Sequence, residues 1–183
     1  MPRRSRRLLH HRPVHPCGWR HGDGVTDHVL RRARCLVIEA LYEAETSGHD
    51  AEAAYDRRLQ DVAGEDREVT GKRPSGFGRE VLRGILDSRD DLDRRLQPVA
   101  PRHPLGTLPV VERTILRLAL WELLHDNSAP VGAVVNEAVE LAHRYGSETS
   151  AGFVNGVLRT VSKEISAARA QEPSEPASTP EET

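Results

Sequence analysis

The sequence is poor in aromatic residues, which make up 4% of its 183 residues, and it has only two cysteines, Cys17 and Cys35. A core with so few rings must be built from Leu, Val, Ala and Ile, which favours packed helices over a β-sandwich. Two cysteines cannot form a disulfide framework. No run of about 18 apolar residues is present, which excludes a transmembrane helix, and no apolar stretch follows the N-terminal arginines as in a secretory signal. We therefore expect a cytoplasmic protein.

The net charge of −2 conceals a strong asymmetry along the chain. Residues 1–34 contain nine arginines and two aspartates, a formal charge of +7, whereas the remainder has 17 basic and 26 acidic residues, a formal charge of −9. A basic arm ahead of an acidic body is typical of a chain that binds a polyanion at one end.

Both ends of the chain lack apolar periodicity. Residues 1–27 contain three prolines and three glycines, which predicts a disordered basic extension. The composition changes abruptly after this extension, and we therefore regard Val25 as a candidate alternative start. Residues 171–183 contain three prolines, four glutamates and no basic residue, which predicts a disordered acidic tail.

Between these ends, residues 28–170 show apolar residues at spacings of three and four, which predicts one helical domain. The predicted helices cover residues 28–46, 50–62, 77–96, 109–125 and 131–145, and a last helix capped by Ser147 or Thr149. A polar loop is expected over 64–76. The helix over 109–125 is apolar nearly all round and is expected at the centre of a bundle. Since no segment alternates with a period of two, the predicted class is all-α.

No pattern in the sequence predicts a catalytic or metal centre. There is no Cys-x-x-Cys, no His-Glu-x-x-His and no glycine-rich loop after a strand, so we expect no enzyme activity, no metal and no cofactor. Gly84, Gly152 and Gly156 fall inside predicted helices, where we interpret them as positions of close helix packing.

Arg31, Arg32 and Arg34 form the feature of the sequence that most favours a function. Arg31 and Arg34 are three residues apart and share a helix face. Cations placed along a phosphate backbone release counterions, which is a main source of nucleic-acid affinity. Three cations near a helix N-terminus also oppose the helix dipole, which favours a polyanion partner. A solvated helix end is the alternative interpretation.

The sequence also resembles the NusB family of bacterial transcription antitermination factors over about Leu30 to Ile165. Two segments match the family in order and spacing, Val135–Ala142 and Phe153–Leu158. Further matches are Arg31-Arg32-Ala33-Arg34 leading to Ala40-Leu41-Tyr42, Val111-Glu112-Arg113 followed by Ile115–Ala119, and Glu122-Leu123.

The resemblance implies an all-helical fold of two small bundles with about six to seven helices. It implies binding of the single-stranded boxA element of ribosomal RNA transcripts together with NusE, a small-subunit ribosomal protein. The pair would then join an antitermination complex on RNA polymerase. No catalysis, cofactor or membrane is implied. Some members of the family form dimers, and nothing in the sequence decides whether this chain is a homodimer.

The resemblance also implies residue positions. Arg31, Arg32 and Arg34 would contact RNA phosphates, and Thr149, Ser150 and Phe153 would lie at the RNA beside the last helix. Phe153 also belongs to the apolar stripe of that helix, and we expect packing in the core to be its main role. Tyr42 and Glu112 would lie at the NusE interface. The stretch 148–152 departs from the Asp-Ser-His that is usual in the family, and the sign of its effect on RNA affinity stays open.

Two further interpretations remain. A related helical domain forms the N-terminal part of ribosomal RNA cytosine methyltransferases of the RsmB type, but such enzymes need a C-terminal domain with a cofactor-binding sheet, and no strand pattern is present here. The second alternative is a helical protein-interaction module in which the acidic body binds a basic protein and the arginines only increase solubility.

Overall fold

The computed structural model describes residues 24–63, 68, 70–100, 104–125 and 129–171. Within these ranges the chain forms seven α-helices and no strand, which confirms the all-α class. The helices are α1 (Gly24–Ser47), α2 (Ala51–Val62), α3 (Lys72–Asp87), α4 (Arg89–Leu96), α5 (Val110–His125), α6 (Val131–Tyr145) and α7 (Ser150–Gln171). Residues 1–23 of the predicted basic extension and residues 172–183 of the predicted acidic tail lie outside the described residues.

The helices pack as two groups that share α5. In one group α1 packs against α2 and α3, and in the other α5, α6 and α7 pack against one another. Helix α5 also contacts α1, α3 and α4, so it lies at the centre, as its nearly uniform apolar character predicts. None of the described helices is long and apolar enough to span a bilayer.

Helix α1 begins at Gly24, four residues before the predicted start, and ends where the backbone turns into the left-handed region. Gly48 has φ +70° and donates its N–H to Ala44 O at 3.0 Å, a conformation that glycine adopts without steric cost. Asp50 then caps α2, because its carboxylate accepts a hydrogen bond from Ala53 N at 2.7 Å.

The predicted helix over 77–96 is wrong at both its start and its interior. Helix α3 already begins at Lys72, inside the predicted loop over 64–76. Pro74 does not prevent this start, because it lies in the first turn of the helix, where no N–H donor is needed. The helix then breaks at Ser88, whose backbone has φ −107° and ψ 14°. The N–H and Oγ of Ser88 both donate to Gly84 O, which closes α3 before α4 starts.

The prediction of close packing at three helical glycines is confirmed for one and wrong for two. A Cβ on Gly84 would lie 2.1 Å from the indole of Trp121, so α3 and α5 approach each other as only glycine allows. A Cβ on Gly152 or Gly156 would meet nothing within 4 Å, because both positions face open space on α7.

Candidate nucleic-acid interface

Arg34 is held in the interior. Its Nε and Nη2 donate to Oε1 and Oε2 of Glu122 on α5, each at 2.7 Å, and the two side chains are 7% and 1% exposed. The guanidinium also lies over the ring of Phe77, 5.0 Å from its centroid. This geometry satisfies a buried carboxylate inside the core, and it does not present the Arg34 guanidinium to a phosphate strand.

Arg31 lies at the surface but in a two-bonded ion pair. Its Nε donates to Glu137 Oε2 at 2.9 Å and its Nη2 to Glu137 Oε1 at 2.5 Å. The Arg31 side chain is 42% exposed and that of Glu137 is 19% exposed. The hydrogen bond with Glu137 raises the pKa of Arg31 above its usual value, although partial burial opposes that shift. The guanidinium therefore stays charged and held against α6.

Arg32 is half-buried and forms no ion pair with any residue in the described ranges. The predicted shared face of Arg31 and Arg34 is confirmed, since Arg34 Nη1 lies 4.0 Å from Glu137 Oε2, the carboxylate that holds Arg31. The dipole argument for a polyanion is wrong. Because α1 begins at Gly24, Arg31 is its eighth residue and lies beyond the first turn, where the dipole acts.

Two predicted RNA residues lie where α7 begins, Thr149 just before the helix and Ser150 as its first residue, and their environments differ. Thr149 is exposed, and its C=O accepts a hydrogen bond from Phe153 N at 3.1 Å. Ser150 is only 1% exposed, and its Oγ accepts from Ser147 N at 2.8 Å. The ring of Phe153 is partly buried and packs against the core, as its position on the apolar stripe predicts.

The two predicted partner-binding residues also differ in exposure. Tyr42 on α1 is 45% exposed, whereas Glu112 in the first turn of α5 is 8% exposed. Glu112 Oε1 accepts a hydrogen bond from Ser150 Oγ at 2.6 Å. This bond links the first turn of α5 to the first residue of α7, and therefore joins the two regions that the sequence assigned to different partners.

Sequence reasoning missed the carboxylates that neutralise these arginines. Glu122 lies in α5, the helix expected at the bundle centre, and a charged residue there requires a buried partner. Arg117 on α5 obeys the same rule, because its guanidinium bonds Asp93 at 2.7 and 2.8 Å and Glu45 Oε1 at 2.5 Å. Burial opposes ionisation of Glu45, but a hydrogen bond from Arg113 and the charge of Arg117 hold its pKa below the usual value.

Two clefts lie beside these ion pairs, one at the pairs of Arg31 and Arg34 and one at the pairs of Glu45. One, of about 610 Å³, lies between α1 and α6, and its walls include Arg31, Asn136, Glu137 and Glu140. The other, of about 410 Å³, lies between α1, α3, α5 and the start of α4, and its walls include Glu45, Arg89 and Arg113. No group of three or more His, Cys, Asp or Glu side chains that could hold a metal occurs in the described part of the chain.

Seven helices in two groups, with arginines at the surface near the start of the first helix, define a small two-bundle helical protein. The sequence profile of the NusB family matches residues 31–163. The chain belongs to the NusB family, and the resemblance stated from the sequence is confirmed.

Curated relatives agree with this assignment. The transcription antitermination protein NusB of Dehalococcoides mccartyi strain CBDB1 is 37% identical over 135 residues, which cover 74% of this chain and 90% of that protein. The NusB of Chloroflexus aggregans is 39% identical over 132 residues, which cover 71% of this chain and 84% of that protein.

Solved structures share the fold. NusB of T. maritima superposes with a TM-score of 0.66 at 34% identity, covering 74% of this chain and 91% of that one. A NusB solved with NusE and double-stranded RNA superposes with a TM-score of 0.65 at 22% identity, covering 75% of this chain and 98% of that one. At 22% identity, the likeness to this second structure shows a shared fold alone.

Proposed function

We propose that this chain is a transcription antitermination factor that binds boxA-type single-stranded RNA of ribosomal RNA transcripts together with NusE. The observation that carries the proposal is the likeness over 90% of the length of the D. mccartyi protein, which bears the name transcription antitermination protein. A protein of the same fold has been solved with NusE and RNA, which supports both kinds of partner. The proposal contains no catalytic step and no cofactor.

The proposed RNA surface begins at the third turn of α1, at Arg31 and Arg32. Arg32 and the outer edge of Arg31 contact phosphates, because both side chains reach solvent. Arg34 supports this surface from beneath through Glu122 and Glu137. At the start of α7, the exposed hydroxyl of Thr149 contacts the strand and the exposed edge of Phe153 contacts an unstacked base, while Ser150 holds the turn.

The proposed NusE surface is centred on Tyr42, whose ring combines a large apolar contact area with a polar tip. Glu112, which is 8% exposed and held by Ser150, is the second residue assigned to NusE. The complex of this chain, NusE and RNA then joins an antitermination complex on RNA polymerase. A homodimer of this chain would compete for the same surfaces.

The test is RNA binding by the purified chain, with and without NusE from the same organism. The RNAs are a ribosomal leader fragment with boxA and a scrambled fragment of equal length. We expect tighter binding of the leader fragment, and tighter still with NusE. Arg32→Ala should weaken binding and flatten its salt dependence by about 0.7 in slope, the value for one phosphate contact on a single strand.

A matched control for Arg32→Ala is Arg94→Ala, which removes an exposed arginine from α4. Both variants lower the net charge equally, so a general effect of charge would change RNA binding to the same extent in each. Equal binding of the leader and scrambled fragments, with or without NusE, would contradict the proposal.

The pairing of two arginines favours a second candidate, a protein-interaction module with no RNA role. Arg31 and Arg34 are already neutralised by Glu137 and Glu122, as expected of residues that only stabilise the fold. This candidate predicts that NusE binds the chain and that RNA adds nothing to the affinity. The titrations with and without NusE decide between the two.

A further inference from the structure

Glu137 is the third member of a chain of four alternating charges that runs from the core to the surface. Glu122 pairs with Arg34 in the interior, Arg34 Nη1 lies 4.0 Å from Glu137 Oε2, and Glu137 pairs with Arg31 at the surface. The four formal charges sum to zero. The segment of α1 over residues 31–34 is therefore much less positive than its run of arginines suggests.

The position of Glu137 is fixed by the fold. Helices α1 and α6 are bridged at two points, by Arg31 with Glu137 and by Tyr145 Oη, which donates to Glu39 Oε1 at 2.6 Å. Residues 31 and 39 are eight apart, as are 137 and 145, so the two helices run in the same direction on either side of the cleft between them. The second bridge links the same two helices eight residues further along, so the Arg31–Glu137 pair is not their only connection.

The carboxylate occupies one of the two guanidinium edges that can bind an RNA phosphate. Arg31 gives Nε and Nη2 to the two oxygens of Glu137 in the parallel geometry that also binds phosphate. One edge cannot serve two anions at once. A phosphate at Arg31 must therefore accept from the remaining Nη1 side or displace Glu137.

Displacement of Glu137 has a free-energy cost that only some RNA strands can offset. A strand held in register by base contacts near α7 keeps one phosphate beside Arg31, and that phosphate competes effectively with the carboxylate. A strand without those base contacts has only the electrostatic attraction of its phosphates, which Glu137 reduces. The ion pair thus weakens sequence-independent binding more than sequence-specific binding.

We propose that Glu137 is a selectivity-determining residue, which suppresses sequence-independent RNA binding by holding the phosphate-binding edge of Arg31. The inference rests on the proposed RNA-binding function and adds to it a residue that makes no attractive contact with RNA.

The test compares Glu137→Gln with the wild-type chain on the leader and scrambled RNAs, over a range of salt concentrations. The change keeps the side-chain size and removes the charge. We expect several-fold tighter binding of scrambled RNA, a smaller gain for leader RNA, and a salt dependence on scrambled RNA that is steeper by about 0.7 in slope. The ratio of the two affinities should fall.

Two further variants give the experiment its specificity. Glu140→Gln removes an exposed carboxylate from the same cleft, whose charge also acts on Arg31 but which forms no ion pair with a described residue. It should change the affinity ratio little. Adding Arg31→Ala to Glu137→Gln should abolish the gain on scrambled RNA, and thermal unfolding of each variant checks that it is folded.

The outcomes separate this inference from the proposed function. If the wild-type chain binds neither RNA, or binds both equally with NusE present, the proposed function fails and the inference fails with it. If the wild-type chain prefers leader RNA but Glu137→Gln leaves the ratio unchanged, only the inference fails. An effect of Glu140→Gln equal to that of Glu137→Gln also overturns the inference, because a general charge effect would then explain both.

Discussion

The hydroxyl of Ser150 donates a 2.6 Å hydrogen bond to Glu112 Oε1 and so joins the first residue of α7 to the first turn of α5. Both side chains are buried, at 1% and 8% exposure. A buried carboxylate that loses a donor retains its desolvation cost, so the bond stabilises the contact between the two helices. The bond therefore joins a residue of the predicted RNA surface, Ser150, directly to a residue of the predicted NusE surface, Glu112.

Ser150→Ala should lower the free energy of unfolding by about 1–3 kcal/mol, the cost of leaving a buried acceptor without its donor. Urea unfolding followed by circular dichroism measures the change. Thr149→Ala is the matched control, because it removes the neighbouring exposed hydroxyl, and it should change stability by less than about 0.5 kcal/mol. Equal losses in the two variants would show that the Glu112 contact contributes nothing.

Arg34→Ala should destabilise the chain by about 3–5 kcal/mol, because it leaves Glu122 buried without a counter-charge. The double variant Arg34→Met with Glu122→Leu should recover most of that loss, since it replaces the pair with apolar side chains of similar volume. If Arg34 supports the RNA surface only from within, the double variant should also retain most of the RNA affinity. A loss as large as that of Arg32→Ala would instead identify Arg34 as a direct phosphate ligand.

The sequence predicts the helices more accurately than their ends and partners. The apolar periodicity places α1, α2, α5 and α6 within a few residues, because burial of one face dictates that spacing. The two errors in the third helix have local causes. The early start is compatible with Pro74, which lies in the first turn of α3, and the break follows from the hydrogen bond of Ser88 Oγ to Gly84 O. Both causes lie in polar or backbone chemistry, and the spacing of apolar residues does not report either of them.

The candidate site was harder to predict, because its chemistry depends on partners distant in sequence. Arg34 and Glu122 are separated by 88 residues, and Arg31 and Glu137 by 106. The sequence places three arginines together, but only tertiary packing decides that one is buried, one is paired at the surface and one is half-exposed. A charged residue inside the apolar α5 is the signal that could have revealed the buried pair.

Gly84→Ala and Gly156→Ala should have opposite effects on stability. The new Cβ at Gly84 would lie 2.1 Å from the buried Trp121 indole, and such overpacking should cost about 1–3 kcal/mol. The Cβ at Gly156 would meet nothing within 4 Å, and alanine should add up to about 1 kcal/mol through its higher helix propensity. Thermal unfolding compares them, and a gain at Gly84 would show that α3 and α5 can separate without cost.

Glu43 should make the stability of the chain depend on pH in acid. Hydrogen bonds from His49 and Arg58 lower the pKa of this carboxyl to about 2 from its usual 4.5. A carboxyl whose pKa is lower in the folded state contributes stability that is complete above the unfolded value and is lost as the pH falls from about 4.5 toward about 2. In Glu43→Gln this part of the decline in stability should be absent.

Denaturant midpoints measured at constant ionic strength between about pH 2 and pH 4.5 test this prediction for Glu43, with the exposed Glu140→Gln as the control. Parallel curves for the wild type and Glu43→Gln would show that the contacts of Glu43 with His49, Arg57 and Arg58 are too exposed to stabilise the fold.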